Sequence, residues 1–337
     1  MEHRQWISRY RDELKGIAIL WVVLFHIRVP LGGILYHVQK IGYGGVDILL
    51  FLMGFGLYHS FAKNAEGSLD IQGYWKRRMQ RVLPAYLPFI VVWMAVMLPS
   101  GGLSTVQAIR SISGNLFLWG YWFGTPKFFN WYISALLLFL VMAPFLYGIL
   151  TKSRKPLFTS GWMLLLFFLA GFCCIGLDQY MAISRLPVFW IGMVFAMKRE
   201  SIAKPAVRRA LYALAFAGGL FLVLICFARY SELLLTYGMY WHPFLLITPP
   251  LCIGLGFLLH KAEKAGERVF KPLTAPLRLV GRASFEIYLF NIWLAELGKT
   301  HLAAGDLMGW LLWSVVNILL GIGYHFLVGR MSRRLAR

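Results

Sequence analysis

Lys15 and His26 bracket the apolar run Gly16-Ile-Ala-Ile-Leu-Trp-Val-Val-Leu-Phe near the start of the chain. An ionisable side chain in so apolar a stretch is costly to keep and by default suggests function. A neutral imidazole in a dry site can act as a general base toward a hydroxyl. A lysine at the rim can hold a phosphate. On a helix, eleven steps of about 100° return to within about 20° of the starting face and advance about 16 Å. Lys15 and His26 then share one stripe, the lysine at a membrane edge and the histidine near mid-membrane, a layout for a substrate that enters end-on. The competing reading is a histidine bonded to a neighbouring helix and a lysine that only snorkels to the interface.

Four further groups carry chemistry. In Gly44-Gly45-Val-Asp47-Ile-Leu-Leu-Phe-Leu-Met-Gly54-Phe-Gly56, Asp47 could orient His26 or bind a hydroxylated acceptor. Equally, it could be a carboxylate that favours a helix N-terminus. Tyr74-Trp-Lys76-Arg77-Arg78-Met-Gln-Arg81 places Arg77 and Arg81 on one helix face with Arg78 adjacent. Arginine forks suit phosphate oxygens, and the alternative is topogenic charge in contact with lipid. Trp131, in Asn130-Trp131-Tyr132, could stack on a sugar face or belong to an interfacial aromatic belt. Glu286, Tyr288 and Asn291 put polar groups into an apolar run, for substrate binding or for interhelical hydrogen bonds.

The elements that must position these residues follow from composition. The chain has 337 residues, 59% hydrophobic and 14% charged, a charge content well below that of soluble domains. Apolar runs of spanning length predict an all-α polytopic membrane protein. The ten expected spans are 16–36, 44–62, 82–98, 131–150, 161–177, 183–198, 210–228, 243–260, 283–299 and 307–328. Of the 34 lysines and arginines, 27 then fall on one side and six on the other, with Arg28 inside the first span. That asymmetry puts both termini in the cytoplasm. Residues 112–123 are too short to span and predict an interfacial or re-entrant piece. The chain reads as one domain, 1–337.

The net charge of +20 falls in short clusters between spans. This pattern argues against nucleic acid as a partner and for anionic lipid headgroups and a phosphorylated ligand. The four cysteines lie in apolar runs without metal spacing and read as packing residues. No P-loop, nucleophile elbow or His-Glu-x-x-His is present, so no metal and no permanently bound cofactor is expected.

Taken in order, these motifs resemble the acyltransferase 3 family of membrane-bound O-acyltransferases. The matching stretches are Asp12 to His26, Gly45-Val-Asp47 through Gly54-Phe, Arg77-Arg78-x-x-Arg81-Val-Leu-Pro84-Ala-Tyr86, Trp131-Tyr132-Ile-Ser134 through Pro144, Arg185 to Met193, and Ser284-Phe-Glu286-Ile-Tyr288-Leu. The resemblance implies about ten transmembrane helices in an inner or plasma membrane. It implies an acyl-CoA donor, commonly acetyl-CoA, on the cytoplasmic side, and transfer to a hydroxyl of a glycan or glycolipid. It marks His26 as the essential histidine and the Arg77–Arg81 cluster as donor-binding. The sequence departs from the pattern at Lys15, Met53, Leu136 and Asn291, where the family commonly has Arg, Ser, Glu and His. With no hydrolase-like segment following, the reaction is expected within the membrane domain or with a partner. The rival class is a transporter of a small polar solute that uses the same buried polar groups.

Overall fold

The computed structural model describes residues 3–63, 70–99, 102–197, 204–229, 242–303 and 305–335. Among them the chain is helical throughout: α1 His3–Arg9, α2 Arg11–His26, α3 Ile34–Lys40, α4 Gly44–Lys63, α5 Ile71–Met97, α6 Thr105–Leu116, α7 Gly120–Phe123, α8 Trp131–Lys152, α9 Pro156–Cys173, α10 Tyr180–Ile183, α11 Leu186–Ala196, α12 Pro205–Arg229, α13 Phe244–Ala265, α14 Glu267–Arg282, α15 Ser284–His301 and α16 Leu307–Leu335. Nine of the ten expected spans each fall largely on one of these helices, and the first, 16–36, falls on two. Seven helices (α4, α5, α8, α9, α12, α13 and α16) are long and apolar enough to cross a membrane. The chain is a polytopic helical membrane protein. The expected end of one span at Lys198, and the cations Lys198, Arg199 and Arg337, lie outside the described residues.

The first span departs from expectation. The expected span is 16–36, but α2 stops at His26 and α3 is a separate short helix. Pro30 explains the stop. In a continued helix its ring would strike the His26 carbonyl, and Val29 before it is steered out of the helical region. Gly33, at φ +61°, completes the turn. The apolar pattern of Ile27, Val29 and Leu31 masked this break. His26 is therefore a helix-terminal residue rather than one in mid-span. The 112–123 piece is also divided: α6 ends at Leu116, Leu118 takes φ +61°, and α7 follows. The polar-faced helix α14 was not expected from hydropathy.

The chain forms two compact units, each assembled from three stretches. The first comprises residues 1–22, 41–69 and 139–281. Its tightest crossing is α4 on α11. A Cβ on Gly54 would collide with the Phe189 carbonyl oxygen, and one on Gly192 with that of Phe51. Each glycine thus admits the backbone lying three residues before the other, and the two helices run parallel at close range. A second small-residue crossing joins α2 to α14, where Gly16 admits the Leu277 carbonyl and Gly281 that of Asp12. Arg278 clasps the buried Glu13 beside it, donating from Nε at 2.9 Å and Nη2 at 2.7 Å.

The second unit comprises residues 23–40, 70–138 and 282–337. Here α15 and α16 pack antiparallel in one register. Gly298 faces Trp310 and Trp313, Asn291 faces Asn317, and Ile287 faces Gly321. Phe89 of α5 packs against Phe290, Trp293 and Tyr324, and the Tyr324 hydroxyl donates to the Ala85 carbonyl at 2.8 Å.

Candidate functional site

Helix α2 carries Lys15 and His26 at their expected spacing, and the division between the two units falls within it, after Val22. At the first-unit end, Lys15 Nζ lies 3.1 Å from Asp12 Oδ1, with the lysine side chain only 16% exposed. The Glu13–Arg278 clasp and the Gly16–Leu277 contact fix the orientation of this turn.

At the second-unit end, His26 meets a polar ladder on α15 and α16. Asn291 Nδ2 is 3.0 Å from His26 Nδ1, and Asn317 Nδ2 donates to Asn291 Oδ1 at 3.1 Å. Both asparagines are buried, at 4% and 2% exposure. With Val23, Leu294, Trp310, Trp313 and Ser314 these residues line a small pocket. Its apolar and aromatic walls raise the strength of any hydrogen bond made within it. The Trp313 indole donates to the Leu294 carbonyl at 2.7 Å, which holds one wall in place.

The chain leaving His26 is clamped. Gln39 Nε2 donates to the Ile27 carbonyl at 2.7 Å and the Val29 carbonyl at 3.0 Å, while its Oε1 accepts from Leu31 N at 3.0 Å. One buried amide side chain thus satisfies three backbone groups of the non-helical stretch after His26. Neither Gln39 nor Asn317 stood out in the sequence. Each is a neutral polar residue without a motif, and only its burial would have marked it.

The other α15 residues each have a separate partner in the second unit. Glu286 Oε1 lies 3.1 Å from His325 Nδ1. The Tyr288 hydroxyl donates to Asn130 Oδ1 at 3.0 Å, and its ring sits 4.6 Å from that of Tyr132. Trp131 opens α8 next to this group and packs against Tyr132 at 5.8 Å. Asn115 shapes the connection leading to Trp131. Its side chain donates to the Ser111 and Lys127 carbonyls and accepts from Phe129 N, while its carbonyl receives the Tyr86 hydroxyl.

The basic cluster occupies the first three turns of α5, a helix that begins about ten residues before the expected span at 82. Asp70 caps it, accepting from Gly73 N at 2.7 Å. Arg77 is exposed and lies 3.5 Å from Asp70; Arg81 is exposed, and Arg78 lies over the Tyr74 ring at 5.6 Å. The guanidinium groups of Arg77 and Arg81 share the face that helical spacing assigns them.

Asp47 belongs to the first unit, where the structure pairs it with Arg185 at 3.8 Å. Both are almost wholly buried, at 2% and 4% exposure. Asp47 lies seven residues before Gly54, and Arg185 seven before Gly192, so the close α4–α11 crossing sets the register of this pair. Arg185 also donates to the Met181 carbonyl at 2.8 Å. Beside it, His242 Nε2 meets the Tyr180 hydroxyl at 3.0 Å. Burial, and then the Arg185 charge, push the His242 imidazole down to about 4. The sequence signal for this pair is the matching seven-residue distance of Asp47 and Arg185 from a glycine.

Two comparisons bear on this geometry. A family model described as an acyltransferase domain matches residues 9–326, a range that takes in every candidate residue above. The chain belongs to the acyltransferase 3 family. A curated protein of Bacillus subtilis (strain 168), YrhL, named provisionally as a peptidoglycan O-acetyltransferase, is 26% identical over 370 residues. The alignment takes in 97% of this chain and 56% of YrhL, so the chain spans little more than half of that relative's length. No solved structure matches significantly. Within this acyltransferase domain, the histidine of the first motif is the residue surrounded by buried amide groups, and the basic motif is the exposed start of a long helix.

Proposed function

We propose that this acyltransferase moves an acyl group, in the simplest case acetyl, from acyl-CoA on the cytoplasmic side to a hydroxyl of a cell-envelope glycan or glycolipid. The membrane is the inner or plasma membrane, crossed by about ten helices with both termini cytoplasmic. The observation that carries the reading is His26 at the end of α2, its ring held by Asn291 in a pocket otherwise lined mainly by apolar and aromatic side chains. The family match and the name of the Bacillus relative support the reaction class and the envelope glycan.

His26 takes the proton of the acceptor hydroxyl, and the oxygen attacks the thioester carbonyl. The C–S bond breaks, the ester forms, and the thiolate leaving group takes the proton back from the imidazolium. Arg77, Arg78 and Arg81 supply forked donors for the phosphates of the donor. Lys15 is assigned to the phosphates as well. Trp131, Tyr288, Glu286 and Asn291 are assigned to the acceptor.

The test is thiol release by purified protein given acetyl-CoA and a cell-envelope glycan extract. Wild type is expected to release CoA, and His26→Ala and Lys15→Ala to lose most of that release. Wild-type release by both variants would overturn the mechanism. Uptake of a polar solute into vesicles without any acyl-CoA would support transport instead.

A further inference from the structure

A general base needs a ring nitrogen with a lone pair to offer. Asn291 occupies Nδ1 of His26, so the reacting nitrogen is Nε2. As the atoms stand, Asn291 Nδ2 faces Nδ1 at 3.0 Å and Asn317 Nδ2 faces Asn291 Oδ1 at 3.1 Å. Nδ1 then accepts, and the hydrogen of the neutral ring sits on Nε2, where it cannot serve as a base. A half-turn of both side-chain amides keeps every heavy atom in place and reverses the chain of bonds. His26 Nδ1–H would then donate to Asn291 Oδ1, Asn291 Nδ2 would donate to Asn317 Oδ1, and Nε2 would carry the lone pair. The Asn317 oxygen is buried and has no hydrogen-bond partner among the described residues in the first polarity. The reversed chain pairs that oxygen with Asn291 and puts the Asn317 Nδ2 in the position it leaves, so it is the need of His26 for a free lone pair on Nε2 that selects the reversed polarity.

We propose that Asn317 is a positioning residue that acts through Asn291 to set which nitrogen of His26 bears the proton. It does not touch the reacting atoms; its carbonyl, by accepting from Asn291, turns the Asn291 carbonyl toward His26. The inference rests on His26 acting as the base. It assigns a role to a residue outside the recognised motifs, 26 positions beyond Asn291 on the next helix.

The experiment uses the full chain in detergent with acetyl-CoA and the glycan extract. Asn317→Leu removes the acceptor. It should lower kcat by at least about tenfold and leave KM for acetyl-CoA unchanged. Asn317→Asp supplies oxygens that accept from Asn291 and should restore most of kcat. Nitrogen-15 spectra of imidazole-labelled protein, assigned by difference against His26→Ala, should show the Nδ1–H form in wild type and Asn317→Asp and lose it in Asn317→Leu. If Asn317→Leu does not fold, Asn317→Ser, whose shorter side chain falls short of Asn291, takes its place under the same expectations. Wild-type kcat in the leucine or serine variant, or an aspartate variant no better than leucine, overturns the proposal. If His26→Ala also keeps wild-type release, the base assignment itself is wrong; if only the Asn317 variants do, this inference alone falls.

Discussion

Removing one partner of the Asp47–Arg185 pair should be among the most destabilising surgical changes in the first unit. The two groups stand 3.8 Å apart with almost no exposure to solvent. At an effective dielectric of about 20 their attraction is about 4 kcal/mol. Asp47→Leu leaves a buried guanidinium, which still donates to the Met181 carbonyl, without its carboxylate; Arg185→Leu leaves a buried carboxylate. Each single change is expected to cost about 3–5 kcal/mol. The double variant, with no charge left to desolvate, should cost far less than the sum, giving a coupling of about 2–4 kcal/mol. The assay is a double-mutant cycle on unfolding in mixed micelles, followed by tryptophan fluorescence. A coupling below about 0.5 kcal/mol, the range of exposed ion pairs, would refute the argument that burial makes this pair structural.

Three other outcomes follow from the same geometry. Gly192→Leu drives a side chain into the Phe51 carbonyl and should cost at least about 1–3 kcal/mol, seen as lost folded yield, whereas Gly148→Leu, which points into open space, should behave as wild type. His242 is held near 4 in the fold while an unfolded histidine titrates at 6.5. Its contribution is therefore complete above pH 6.5 and is lost as pH falls toward 4, because the unfolded chain binds the extra proton; melting temperatures measured from pH 8 to 4 should fall less steeply in His242→Gln. Arg278→Lys keeps the charge beside Glu13 but gives up the forked geometry, and because the arginine side chain is 47% exposed, a melt should show only about 1 kcal/mol lost.

Long apolar runs made the helical class and most helix positions legible. Hydropathy read across Pro30, however, because it scores how apolar a residue is and not whether its ring can follow a given carbonyl. It also passed over α14, whose apolar and polar residues average out along its length. Lys15, His26 and the Arg77–Arg81 cluster could be singled out because charge in the wrong place is conspicuous. The partners of His26 were only partly visible: Asn291 breaks an apolar run, but Asn317 and Gln39 have meaning only once folding buries them. Arg185 was hidden differently, since a cation at a helix start looks like a loop charge until a glycine crossing brings a carboxylate to it.

The common register of α15 and α16 ties three separate contacts to a single alignment of the two helices. Gly298 against Trp310, Asn291 against Asn317 and Gly321 against Ile287 are locked at different heights along one helix pair. A slip of one turn, about 5.4 Å, would break all of them together. The pair therefore behaves as one stiff lever. A displacement of either helix along the other would therefore disturb both asparagines beside His26.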